Sequence, residues 1–122
     1  MTPTSTRCLV ITAVTLASLG CAHVVAVQRV DELAGEWKGR RVGPLGNAPA
    51  AMAVAANGGY TGVIYFDGGD RAFHGALVVV RPGQIRYQGS DGTGAVHVSE
   101  RGGRRVLEFR RDDGGVDAVF RE

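Results

Sequence analysis

Clusters of glycine with asparagine, aspartate, serine or proline punctuate the chain from residue 57 onward, and they constrain the fold more than any other feature. They are Asn57-Gly58-Gly59, Asp67-Gly68-Gly69-Asp70, Pro82-Gly83, Ser90-Asp91-Gly92, Gly102-Gly103 and Asp113-Gly114-Gly115. Glycine adopts positive φ without steric cost and Asn or Asp tolerates it, so each cluster predicts a hairpin loop. A spacing of about 9 to 14 residues suits an all-β sandwich or barrel.

Between these loops the side chains alternate. Tyr60, Gly62, Ile64 and Phe66 share one face, and Phe73, Gly75, Leu77 and Val79 repeat the pattern. So do Ile85 with Tyr87, Val96 with Val98, Leu107 with Phe109, and Val116 with Ala118 and Phe120. Residues two apart on a strand point the same way, so these sets mark the core. Strands at 36–42 and 51–55 bring the predicted total to eight. Short connections predict consecutive antiparallel pairing. The expected fold is all-β, a small eight-stranded antiparallel meander barrel, with a two-sheet β-sandwich as the alternative. A single helical turn is expected at 30–34, and a longer loop at 43–50.

An aromatic followed two positions later by glycine occurs at Trp37/Gly39, Tyr60/Gly62, Phe73/Gly75 and Tyr87/Gly89. Such glycines allow sharp coiling of a strand, and a neighbouring ring can cover the bare backbone. The pattern fits a strongly bent small barrel better than an aromatic-lined ligand cavity. With Trp37, Ile64, Phe73, Leu77, Phe109 and Phe120 all directed inward, side chains fill most of the interior, and any pocket is shallow and near one rim.

The first 21 residues have a different character. A cationic start ending at Arg7 precedes twelve mostly apolar residues, 8–19, then Gly20 and Cys21. Charge, apolar stretch and small residue in that order form the pattern of an export signal. With Cys21 directly after Gly20 it resembles the lipobox of bacterial lipoproteins, although Ser18 stands where that family usually has leucine. The resemblance implies a signal peptide at 1–20, acylation (palmitate among the chains) of Cys21, a tether at 21–30 and a β domain at 31–122. Two or more acyl chains hold a protein firmly, at about 0.8 kcal/mol per buried methylene. Ala22 after the cysteine implies the outer membrane, with the domain facing the periplasm. Two other readings stay open. The apolar run could extend through Val27 towards the roughly 20 residues of an uncleaved anchor, or an ordinary signal peptide could be cut near Ala22.

The only cysteines are Cys8 and Cys21, so a chain beginning at Cys21 has no disulfide and folds on packing alone. Loss of Arg7 leaves 13 basic against 12 acidic residues, a balance that argues against nucleic acid as a partner.

Gly35-Glu36-Trp37 resembles the Gly-x-Trp that opens the first strand of lipocalins and other calycins, and 35–65 is loosely similar to the start of avidin-type barrels. The resemblance implies that Trp37 sits at the closed end of a barrel, crossed by a basic residue from near the last strand. Arg121 is the first candidate and Arg111 the second. If Leu107 and Phe109 point inward, Arg105 and Arg111 cap the two rims. The candidate ligand-binding residues are therefore Trp37, Tyr60, Tyr87, Arg105 and Arg111.

Catalytic chemistry finds little support. Ser90 and Ser99 are the only serines after the signal, and Ser90 lies in a turn. His74 and His97 fall opposite the inward positions, and two histidines without a third ligand make a poor metal site. No cofactor and no metal are expected. On the outward faces, Val63, Tyr65, Ala76, Val78 and Val80 are expected to form an apolar band, a candidate interface for self-association or for an envelope protein.

The functional expectation is a non-enzymatic, membrane-tethered envelope lipoprotein whose barrel is a protein-interaction or structural module. The alternative is calycin-like binding of a small hydrophobic or anionic ligand at the barrel mouth. A third reading is an enzyme using a rim histidine or carboxylate.

Overall fold

The computed structural model describes residues 22–43, 46–90 and 92–122. The signal segment, Cys21, the cut site and Asp91 lie outside the described residues. Among the described residues there are nine strands: β1 (Ala22–Val24), β2 (Gly35–Arg41), β3 (Ala48–Val54), β4 (Gly59–Phe66), β5 (Gly69–Arg81), β6 (Gln84–Gly89), β7 (Gly92–Arg101), β8 (Arg104–Arg111) and β9 (Val116–Arg121). A 3-10 turn, Val30–Leu33, precedes β2 where the sequence predicts a helical turn.

Strands β2 to β9 pair consecutively and antiparallel, and β2 pairs with β9 through Lys38↔Arg121 and Gly39↔Phe120. The result is a closed eight-stranded meander barrel, as the turn spacing predicts, with β1 as one extra strand. The glycine turns follow the expected chemistry, whereas the loop expected at 43–50 is shorter, because β3 begins at Ala48 and buries Ala48 and Ala50. Between Arg101 and Arg104, Gly102 and Gly103 have φ of 61° and 82°. Two successive positive values suit the two-residue type I′ turn that matches strand twist.

Strand β1 pairs with β7 through Ala22↔Arg101, His23↔Glu100 and Val24↔Ser99. Strand β6 pairs with the other half of β7, from Ile85↔Val96 to Gly89↔Gly92. The two therefore lie end to end along one edge of β7. Val27, just after β1, is fully buried, and its carbonyl accepts the Gly83 N–H. Part of the segment expected to be a tether is thus built into the barrel wall.

The core holds the inward residues of every barrel strand, among them Trp37, Ile64, Leu77 and Leu107, each at most 2 % exposed. Phe109 is its centre, with ring centroids 4.8 Å from Tyr87, 5.6 Å from Phe120 and 5.9 Å from Tyr60. Tilted and edge-to-face rings at these distances add to simple burial. The glycines work as the sequence implies, but across strands. Gly62 lies opposite Phe73 and Gly75 opposite Tyr60. A methyl group on Gly62 would enter the Phe73 ring, one on Gly75 the Tyr60 ring, and one on Gly89 would meet the Tyr60 hydroxyl.

Two irregularities break the ladders. One is at Val79/Arg81, where Val80 is the extra residue of β5. The other lies between β8 and β9, where Phe109 faces Ala118 but Arg110 faces Val116, leaving Asp117 as the extra residue.

Candidate functional site

The bulge at Asp117 decides what occupies one end of the barrel. Strict alternation along β9 would send Asp117 outward between Val116 and Ala118. An extra residue in one strand re-aims its side chain, and both Asp117 and Ala118 are buried, at 6 % exposure each. Burying a carboxylate is unfavourable unless donors surround it. Tyr87 Oη donates to Asp117 Oδ2 at 2.7 Å, and Arg111 Nη1 donates to Oδ1 at 2.7 Å. Burial, and then the hydrogen bond to Asp117, push the Tyr87 phenol well above its ordinary pKa. The hydrogen bond from Arg111 to Asp117 raises the Arg111 guanidinium. Arg111 also donates to Asp113, whose own carboxylate is held low by the Gly115 N–H and by Arg111.

Beneath this triad is a small pit of about 40 Å³, floored by Ile64, Phe73, Phe109 and Phe120 and walled by Tyr60 and Tyr87, with Arg41, Ser90 and Asp117 at its edge. A single water needs roughly 10–15 Å³. The pit therefore has room for a few waters or a group of a few heavy atoms. Both carboxylate oxygens of Asp117 already accept a hydrogen bond, so the triad is arranged to hold shape and charge. His74 and His97 face solvent away from it, and the Ser90 hydroxyl accepts the His74 N–H at 3.2 Å. Among the described residues no group of three His, Cys, Asp or Glu side chains is placed to hold a metal ion.

The opposite end is closed. Trp37 Nε1 donates to the Leu33 carbonyl at 2.9 Å, seating the indole on the 3-10 turn. The Arg105 guanidinium carbon lies 5.3 Å from the Trp37 ring centroid. Its Nη1 donates to the Glu32 carbonyl at 2.6 Å and its Nη2 to Glu122 Oε2 at 2.8 Å. The Glu122 carboxylate is held below its ordinary range by that hydrogen bond. The cation crossing Trp37 is therefore Arg105, and not Arg121 or Arg111. Arg105 shares the inward parity of Leu107, whereas Arg121 follows inward Phe120 and points out, and Arg111 is at the far rim.

The five candidate ligand residues consequently divide. Tyr60, Tyr87 and Arg111 gather at the pit, and Trp37 and Arg105 form the plug at the other end. Asp117, the central polar group of the pit, escapes a reading based on alternation. Its one sequence signal is an acid inside an otherwise apolar strand, Val116-Asp117-Ala118-Val119-Phe120.

The expected apolar band is not continuous. In the β4–β5 pair Val63 faces Ala72 and Tyr65 faces Asp70, whereas Ala76 faces Gly59, with Thr61 and His74 paired between them. Val63 and Tyr65 thus lie at one end and Ala76, Val78 and Val80 at the other. The two-residue turn at Asp67-Gly68 fixes this register.

Comparison of the chain with known protein families, curated proteins and solved structures finds no match.

Proposed function

We propose that the protein is a non-enzymatic envelope lipoprotein, tethered through acylated Cys21, whose barrel serves as a structural or protein-interaction module. The observation that supports this reading is the filled interior. Pockets for drug-sized ligands span about 300–1,000 Å³, and the barrel leaves about 40 Å³ at one rim. Engagement of both Asp117 oxygens supports the non-enzymatic part. The Trp37–Arg105 plug supports a likeness to calycins in architecture.

A second reading is favoured by the pit itself. Its apolar floor and polar edge suit a small amphiphile, or the end of an acyl chain, entering between Tyr60 and Tyr87.

Metabolic labelling with radioactive palmitate and intact mass measurement test the tether. Label that is lost in Cys21→Ser, with a chain beginning at Cys21, supports it. An unlabelled chain that keeps Met1 overturns it. Calorimetric titration with short fatty acids separates the two roles of the barrel. No saturable heat supports the module, and a saturable signal abolished by filling the pit with Ala118→Leu supports the binder.

A further inference from the structure

The chain is nearly neutral, yet its cations are not evenly spread. Side chains opposite one another in neighbouring strands share a face, so the registers of β1, β7, β8, β9 and β2 lay out one outer surface. One row across it reads Val24, Ser99, Val106, Arg121, Lys38. The next row reads His97, Glu108, Val119, Arg40, and Arg101 faces Arg104 at the hairpin tip. Lys38, Arg40, Arg101, Arg104 and Arg121 are all exposed, and none has an acidic partner among the described residues. The carboxylates of these strands are engaged elsewhere or lie at the margin. Glu108 pairs with Arg110 and Glu122 with Arg105, Glu100 lies opposite Arg105 on the other face of β7 from Arg101, Asp117 is turned inward, and Glu36 precedes Lys38 at the start of β2. Val106 and Val119 fill the gaps between the cations, and Val24 beside them is 86 % exposed.

We propose that this basic face, centred on Arg101, Arg104 and Arg121, lies against a membrane surface rich in anionic lipid headgroups. The proposal rests on the tether reading and adds the orientation. Ala22 is paired directly opposite Arg101. Whatever holds Cys21 in a bilayer therefore delivers the hairpin tip to the headgroup layer with no slack between them. Clustered Lys and Arg side chains beside a membrane anchor are attracted by anionic lipid over a distance of about 8 Å at physiological salt. The barrel surface is curved, so Arg101, Arg104 and Arg121 meet a plane first, and Lys38 and Arg40 flank it. Exposed Val24 suits the boundary between headgroups and chains. The pit with Asp117 is at the opposite end of β7 and β8, facing away from the membrane.

Hydrogen–deuterium exchange tests this on the full chain recovered from membranes and reconstituted into phosphatidylcholine vesicles with or without phosphatidylglycerol. The expected result is exchange at 99–106 and 119–121 slowed about five-fold or more by phosphatidylglycerol. The effect should vanish in about 0.5 M salt and in the Arg101→Glu/Arg104→Glu variant, with exchange in the core strands unchanged. Protein that floats with both vesicle types but exchanges identically at these segments overturns the proposal and leaves the tether standing. Protein that floats with neither overturns the tether, and the orientation with it. Equal protection by both vesicle types also overturns the proposal, since it shows contact without charge recognition.

Discussion

The Arg105 guanidinium lies across the Trp37 indole, 5.3 Å from the ring centroid, while its nitrogens bind the Glu32 carbonyl and the Glu122 carboxylate. One side chain thereby joins β8, the 3-10 turn, the start of β2 and the chain end. A cation over an indole contributes about 0.5–1 kcal/mol when exposed, and hydrogen bonds to charged groups about 1.5–3 kcal/mol.

Arg105→Ala should therefore lower stability by about 2–3 kcal/mol. Arg105→Lys should recover less than half of this, because an ammonium cannot span the two acceptors as a planar fork does. Urea unfolding followed by the fluorescence of Trp37, the sole tryptophan, measures both. Equal stability of Lys and Arg variants would show that charge alone matters.

At the other end, Asp117→Ala removes the acceptor of two 2.7 Å hydrogen bonds. Breaking a fully buried pair costs about 3–5 kcal/mol, and partial exposure of Arg111 keeps the expected loss near 2–3 kcal/mol. Asp117→Asn, which still accepts from one donor, should lose about 1 kcal/mol. Thermal unfolding of the two variants ranks them.

Stability should respond to pH at both extremes. Asp112, Asp113 and Glu122 are held below their ordinary range, Asp112 chiefly by Arg86. A depressed carboxylate stabilises the fold above its unfolded pKa of about 4, and that contribution disappears as pH falls through the folded value. The urea midpoint should thus drop below about pH 4, with a shallower slope in Glu122→Gln. The Tyr87 phenol is raised, so its contribution is complete below about pH 10 and is lost as pH rises towards the folded value. In a difference titration of wild type against Tyr87→Phe, no phenolate from Tyr87 should form by about pH 11 while the protein stays folded.

Glycine substitutions should separate backbone contact from mere turn preference. A methyl group on Gly94 would strike the Arg110 carbonyl, and one on Gly39 the Val119 carbonyl, neither of which can swing aside. Each change to Ala should cost about 3 kcal/mol or prevent folding. Gly68, with nothing near it, should accept Ala within about 0.5 kcal/mol. Expression yield and urea midpoints check the contrast.

The eight barrel strands, their order and the 3-10 turn are legible in the sequence because turns and alternation are local signals. What alternation misses is set by other rules. Asp117 reverses its expected facing because β9 carries one residue more than its partner, and a one-residue slip moves a side chain to the other face. Chain order points to Arg121 over Trp37, yet parity with Leu107 selects Arg105. β1 is a pairing between Ala22 and Arg101 far along the chain, without a connecting turn to announce it. The split of the apolar band was available from the turn, since a two-residue loop at Asp67-Gly68 places Ala76 opposite Gly59 and away from Val63. The pit and the basic outer face emerge only once register joins distant strands.

The short ladder of β1 also has a mechanical meaning. Tension applied ahead of Ala22 meets three register pairs and the Val25 N–H bond to the Val98 carbonyl before it reaches buried Val27. Those contacts should part first, releasing a few residues of chain, while the closed ring from β2 to β9 should hold. Once the strain relaxes they should re-form, so pulling should lengthen this segment reversibly ahead of the barrel.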